Sequence, residues 1–191
     1  MKRETEKNIS EFLIVILAYL ISLILSGVFR INSILNTLNN EIVESAKLSS
    51  YVGLITSSIF SSIVIIIIAL IAYFTIKTFK LKIETNLLID GITTSIYILI
   101  IFELIRVILT LLIFDEAVAS IAFHDNIIVG LKNSKWFFYD SIIKYLMILS
   151  TGIVFILNTI PKNKNYSSVI LLSAIISICF YISTINLSIT I

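Results

Sequence analysis

The sequence is poor in most of what a soluble catalytic domain needs. Charged residues make up 14% of its 191 residues, against about a quarter in ordinary soluble domains. That much polar surface does not cover a water-soluble globule, and the mean hydropathy of +1.07 excludes one as well. There is one histidine, His124, so no histidine cluster for zinc can be built; a closed zinc site takes about four ligands. There is one cysteine, Cys179, which rules out an intrachain disulfide and leaves the redox compartment unset. It lies in an apolar run and reads as a small packing residue. Pro161 is the only proline, and no glycine-rich phosphate loop occurs. Runs of the form G-x-S-x-G or H-E-x-x-H are missing too, so catalytic, cofactor and metal residues are all expected to be none. The net charge of +2 comes without a Lys/Arg track, which excludes nucleic acid as a main partner.

What the chain has instead is apolar length. A basic start (Lys2, Arg3, Lys7) precedes the run Phe12–Val28, read as a first membrane crossing. A secretory signal is the other reading, but the run is longer than a signal core and lacks a convincing small-x-small cleavage site. Ile31–Ser50 differs. Ile31, Ile34, Leu35, Leu38, Ile42, Val43 and Ala46 recur at helical spacing, while asparagine and glutamate fill the other side. This predicts an amphipathic helix, lying in the interface or serving as a simple helical loop. Val52–Ile76 is the second crossing; its Ser57, Ser58, Ser61 and Ser62 repeat at spacing four, and Ser57 and Ser61 are expected to form a small-residue face for close helix approach. After a basic turn (Lys77, Lys80, Lys82) comes the third crossing, Leu87–Phe114, with the small pair Gly91 and Ser95.

Asp115–Lys135 reads as a long connection whose apolar pieces are too short to span. If Ala117–Leu131 did span, a sixth crossing would result. Trp136, Phe137, Phe138 and Tyr139 then cluster as an interfacial aromatic group. The fourth crossing, Ser141–Ile160, stops at Pro161. The fifth, Ser167–Leu187, carries the small pair Ser173 and Ser177. The expected fold is therefore an all-α integral membrane protein. It is a single domain over residues 1–191, a bundle of five transmembrane helices plus an amphipathic helix between the first two. Basic residues in short loops set the orientation. Lys77, Lys80, Lys82, Lys162 and Lys164 place the N-terminus in the cytoplasm and the C-terminus outside the cell membrane.

Only a few ionisable residues fall inside the crossings. Glu103 and Arg106 are three apart and share a helix face, and Asp140 and Lys144 are four apart on the next crossing. With the orientation above, all four sit toward the outer leaflet and form one candidate polar cluster. Two readings are open: a ligand, peptide or ion contact, or mutually neutralised charges that fix helix register, with Arg106 and Lys144 snorkelling outward. His124 and Asp125 read as loop residues.

Two stretches carry a family resemblance. One is FKLKIETNLLIDGITTSIYIL (Phe79–Leu99). The other is FYDSIIKYLMILSTGIVFILNTIPKNKNYSSVILLSAI (Phe138–Ile175), in which an Asp leads an apolar run to a Gly, a basic turn and a last helix. In layout, over roughly the last two-thirds of the chain, this resembles the Yip family of five-helix membrane proteins. Asp140, Gly152, Lys162 and Lys164 take the corresponding places. The chain lacks the proline common in that family's third helix, and has Lys144 and Tyr145 where a tryptophan is common. The resemblance implies no catalytic residues. It implies a role beside ABC-type exporters or in protection against peptide toxins. The composition, rich in Ile, Asn, Lys and Ser, fits an AT-rich bacterial genome. The expected function is a non-catalytic accessory or immunity factor. The expected partners are the lipid bilayer and another membrane protein such as an ABC-type transporter. A substrate-binding transport subunit is the alternative, and an intramembrane enzyme using Glu103 or His124 a third.

Overall fold

A computed structural model describes residues 2–35, 40–122, 132–163 and 165–188. Every regular element among them is helical: α1 (Lys2–Leu35), α2 (Asn40–Thr78), α3 (Thr85–Ala122), α4 (Lys135–Thr159) and α5 (Tyr166–Ser188), with a short 3-10 turn at Ile160–Lys162. At about 1.5 Å per residue, α1, α2 and α3 each exceed the roughly 30 Å of a bilayer's hydrocarbon core. Four segments are long and apolar enough to cross a membrane: Asn8–Ser33, Lys47–Thr78, Thr85–Phe114 and Lys135–Lys162. The apolar part of α5, Tyr166–Ile182, is shorter. Helices form here although isoleucine dominates. A helix pairs each backbone N–H and C=O within its own segment, as any single span of a bilayer would require.

Two boundaries differ from the sequence expectation. Among the described residues no separate amphipathic helix appears over Ile31–Ser50: residues 31–35 prolong α1, and residues 40–50 open α2. No proline and no glycine lies between Gly27 and Gly53, so neither extension contains a helix breaker. Tyr51 donates its hydroxyl to Asn32 Oδ1 at 2.6 Å, tying the two extensions together. Likewise α3 does not end at Phe114 but runs on to Ala122, through the first part of the expected connection. His124 and Asp125 lie outside the described residues.

The helices are arranged around α3, which packs chiefly against α4 and α1. α2 lies on α1, and α5 closes the bundle by touching α4 and α2. Contacts from Asp90–Lys162 through Ser95–Thr151 to Arg106–Asp140 show α3 and α4 running antiparallel in one register. The core between the helices is filled by Val15, Ile65, Ala72, Ile96, Phe155, Leu172 and Ile176.

Small residues sit where helices touch. Gly91 faces the Phe155 ring and Thr159 Oγ1, both under 3.0 Å from where a Cβ would be. Ser95 Oγ donates to Thr151 O at 3.0 Å, and Ser173 Oγ to Gly152 O at 2.9 Å. A Cβ on Gly152 would meet Ser177 and Ser173. The α2 stripe departs from expectation by one residue: Ser58 and Ser62 are buried, whereas Ser57 is exposed and Ser61 half-buried. Both stripes have the same spacing, and the packing of α2 in the bundle selects between them.

The Thr78–Thr85 turn ends α2 in a Schellman arrangement. Leu81 N–H bonds Ile76 O at 3.0 Å, and Lys80 takes the left-handed φ of 49° where glycine is usual. Asn163 then donates from Nδ2 to Lys82 O at 2.8 Å, fastening this turn to the one after Pro161. Both basic turns thus share one end of the bundle, here the turn end. The opposite end is the far end.

Candidate functional site

Toward the far end, the α3–α4 interface holds charge instead of aliphatic packing. Helical spacing puts Glu103 and Arg106 on one face of α3. Arg106 Nη1 donates to Glu103 Oε1 at 2.6 Å. On α4, Asp140 and Lys144 are one turn apart, with Lys144 Nζ 3.0 Å from Asp140 Oδ2. The two pairs join through Arg106, whose Nε donates to Asp140 Oδ1 at 2.7 Å and whose Nη2 reaches Oδ2 at 3.5 Å. The structure therefore brings all four sequence candidates into one chain of charges. Three of them are almost out of contact with solvent: Glu103 is 1% exposed, Asp140 2% and Arg106 7%. The Lys144 side chain keeps 27% of its surface exposed and forms the edge of the cluster. Arg106 does not snorkel; both of its faces are taken by carboxylates.

Neighbouring polar groups steady the geometry. Thr110 Oγ1 donates to Arg106 O at 2.8 Å and accepts from Trp136 Nε1 at 3.3 Å. Trp136 is buried, edge-on to Phe114 with ring centroids 4.8 Å apart. Of the aromatic group expected at the interface, Phe138 and Tyr139 are exposed but Trp136 turns inward. Ser134 caps α4 by accepting from Phe137 N–H at 3.2 Å. Glu103 Oε2 is buried without a hydrogen-bond partner.

Two features escaped sequence reasoning. The first is Arg30. It lies near the end of α1, half-buried. Its Nε donates to Ser26 O at 3.3 Å and Nη2 to Ser26 Oγ at 3.5 Å. The available signal was its position: α1 and α3 run the same way, so basic residues late in each fall at one end. The second is a network at the turn end. Lys162 Nζ donates to Asp90 Oδ2 at 2.6 Å and to Asn158 Oδ1 at 3.1 Å. Asn158 Nδ2 bridges Asp90 Oδ2 and Thr94 Oγ1. The i,i+4 spacing of Asn158 and Lys162 was visible in the sequence; their facing Asp90 was not.

Among the described residues no group of three or more His, Cys, Asp or Glu is placed to hold a metal. The cluster's chemistry is charge pairing, with no nucleophile–base pair in it. Comparison with family models, with curated proteins and with solved structures finds no match for the chain.

Proposed function

We propose that this chain is a non-catalytic multi-pass protein of the cell membrane, with its N-terminus in the cytoplasm and its C-terminus outside. Its role is that of a bacterial accessory or immunity factor beside an ABC-type transporter or a membrane-active peptide, in the layout of the Yip family. One observation carries the membrane reading: the helices wear their apolar side chains outward. Only 22 to 33% of the residues in the most apolar stretch of each of the four spans are buried. Leu13, Ile14, Leu17, Leu104, Leu111, Leu112, Leu149 and Leu157 stand exposed on several sides. Exposed apolar surface on this scale asks for lipid, since soluble monomers rarely carry patches beyond a few hundred Å². The charges follow the same logic, being either paired inside or gathered at an end. The basic turns sharing one end support the orientation. A cluster whose charges pair with one another, and which holds no nucleophile–base pair, supports the non-catalytic reading.

The test has two parts. A C-terminal reporter active only in the cytoplasm should be silent; a strong signal would overturn the five-crossing topology. Cells lacking the gene should lose survival under a membrane-active peptide or lose co-purification with a neighbouring exporter. Loss of neither would remove the accessory and immunity role.

A further inference from the structure

Three helices meet at the turn end and leave an apolar groove between them. α3 packs chiefly against α1 and α4, and α2 lies on α1, so α2 and α3 touch each other only weakly. The groove holds about 250 Å³ and is walled by Phe12 of α1, by Ala69 and Tyr73 of α2, and by Leu88 and Ile92 of α3. The short side chain of Ala69 keeps it open. Its walls follow Ile66–Tyr73 and Thr85–Ile92, each rising about 10 Å along its helix. Among the described residues, every side chain lining it is apolar except Thr85 and the Tyr73 hydroxyl. A cation stands at its mouth. Lys77 is one turn beyond Tyr73, and helical side chains lean back toward the N-terminus. Its Nζ lies 5.6 Å from the centroid of the Tyr73 ring, the ring that walls the groove, and the residue stays exposed. The stretch Lys77–Thr85 carries three lysines against Glu84 alone. Asn163 Nδ2 fixes that turn through Lys82 O at 2.8 Å.

We propose that this groove takes one acyl chain of an anionic phospholipid and that Lys77 holds its phosphate. Groove and lysine ask for two things in one molecule: a slender hydrocarbon and, at its end, an anion. The apolar walls favour hydrocarbon over water. The Tyr73 ring engages one side of the ammonium, whose three donors leave another side for a phosphate oxygen. An uncharged apolar molecule would leave Lys77 unused, and a dissolved phosphate would leave the groove unfilled. The depth agrees with the charge. Lys77 stands at the end of the apolar span Lys47–Thr78, where a lysine on a spanning helix reaches the headgroups and attracts anionic lipid. The proposal rests on the membrane reading, but not on which leaflet the turn end faces.

The test uses the purified full chain in a nonionic detergent, read by thermal unfolding. Phosphatidylglycerol and phosphatidylcholine with the same short acyl chains are the probes, with glycerol phosphate as a headgroup without a chain, all at matched ionic strength. Wild type should gain several degrees, saturably, from phosphatidylglycerol. Half-saturation should come on the order of tenfold below that of phosphatidylcholine, one charge-assisted hydrogen bond's share. Glycerol phosphate should give no gain. Lys77→Gln should bind the two lipids alike, and position 77 is exposed, so the change leaves the core intact. Ala69→Phe fills the groove and should remove the response to both lipids. Equal half-saturation by the two lipids in wild type would overturn the proposal, as would a preference unchanged in Lys77→Gln. So would a gain from glycerol phosphate equal to that from lipid, or a wild-type response in Ala69→Phe. A dimer that Ala69→Phe dissociates would assign the groove to a second copy and overturn it too. Should Ala69→Phe not fold, the Lys77→Gln comparison decides alone. Washing membranes with alkaline carbonate tests the membrane reading apart. Retention of the chain without a lipid preference removes only the groove, whereas release removes the membrane reading itself.

Discussion

The two ends of the α3–α4 interface are built from the same chemistry and placed in opposite surroundings. At each end an acid and a base lock the helices together, Arg106 with Asp140 at 2.7 Å and Lys162 with Asp90 at 2.6 Å. At the far end Glu103 and Asp140 are 1% and 2% exposed. At the turn end the Asp90 and Lys162 side chains are 42% and 52% exposed. Contact distance therefore does not rank these pairs; access to water does. A carboxylate that loses its partner at the turn end is rehydrated, whereas one at the far end is left charged in a low-dielectric site. The far end fixes which face of α4 meets α3 and at what height. The turn end guides the chain through Pro161 and tolerates change.

The sharpest way to break that contrast is to remove Arg106. Arg106→Met strands Glu103 and leaves Asp140 with Lys144 alone. The expected loss is about 3–5 kcal/mol, the range for breaking a buried pair from one side. Glu103→Gln alone should also destabilise, since Arg106 keeps only one carboxylate. The double variant should recover part of the loss because no unpaired charge remains on α3. The measurement is a double-mutant cycle by thermal unfolding in detergent. Strictly additive losses would mean that Glu103 and Arg106 do not act as a pair, contrary to their 2.6 Å contact.

Between the two charged ends, the interface is held by close packing, and the next effect in size belongs there. A methyl group added at Gly91 meets the Phe155 ring and Thr159 Oγ1, and one at Gly152 meets Ser177 and Ser173. Gly91→Ala and Gly152→Ala should each cost about 1–3 kcal/mol by overpacking. On α2 the same reasoning separates neighbours. Ser58→Leu puts bulk into a buried contact, while Ser57→Leu faces outward and should stay within about 0.5 kcal/mol of wild type. Equal losses at positions 57 and 58 would mean that both α2 stripes are packed against protein.

The serines show what a sequence can and cannot say. Spacing of four names two candidate stripes on α2, and nothing local chooses between Ser57/Ser61 and Ser58/Ser62. The choice depends on how α2 lies against its neighbours. The far-end charges were legible because each pair is local, three or four residues apart on one helix, and because apolar surroundings make any charge conspicuous. Arg30 was hidden by its place at the end of an apolar run, where a loop reading and a helical one look alike. The helical spacing over 31–50 does not by itself say which helix each residue belongs to. Without a proline or glycine there, the two halves joined the flanking helices.

The smallest expected effect tests the comparison most directly. Asp90→Asn keeps the size of the side chain and its place between Asn158 and Lys162, and removes only the charge. If exposure governs, the loss is about 0.2–1 kcal/mol, as for other surface ion pairs. It should also shrink with added salt, because exposed charges are screened over a Debye length of about 8 Å at physiological ionic strength. Lys162→Met should do the same, with the Asn158 bridge to Thr94 still closing the interface. The far-end variants should keep their full loss in high salt, since mobile ions do not enter a site that is 1–2% exposed. Unfolding of the Asp90 and Arg106 variants at low and high salt therefore decides the matter. A turn-end loss as large and as salt-insensitive as the far-end loss would show that the turn network is also desolvated, and that water access does not distinguish the two ends.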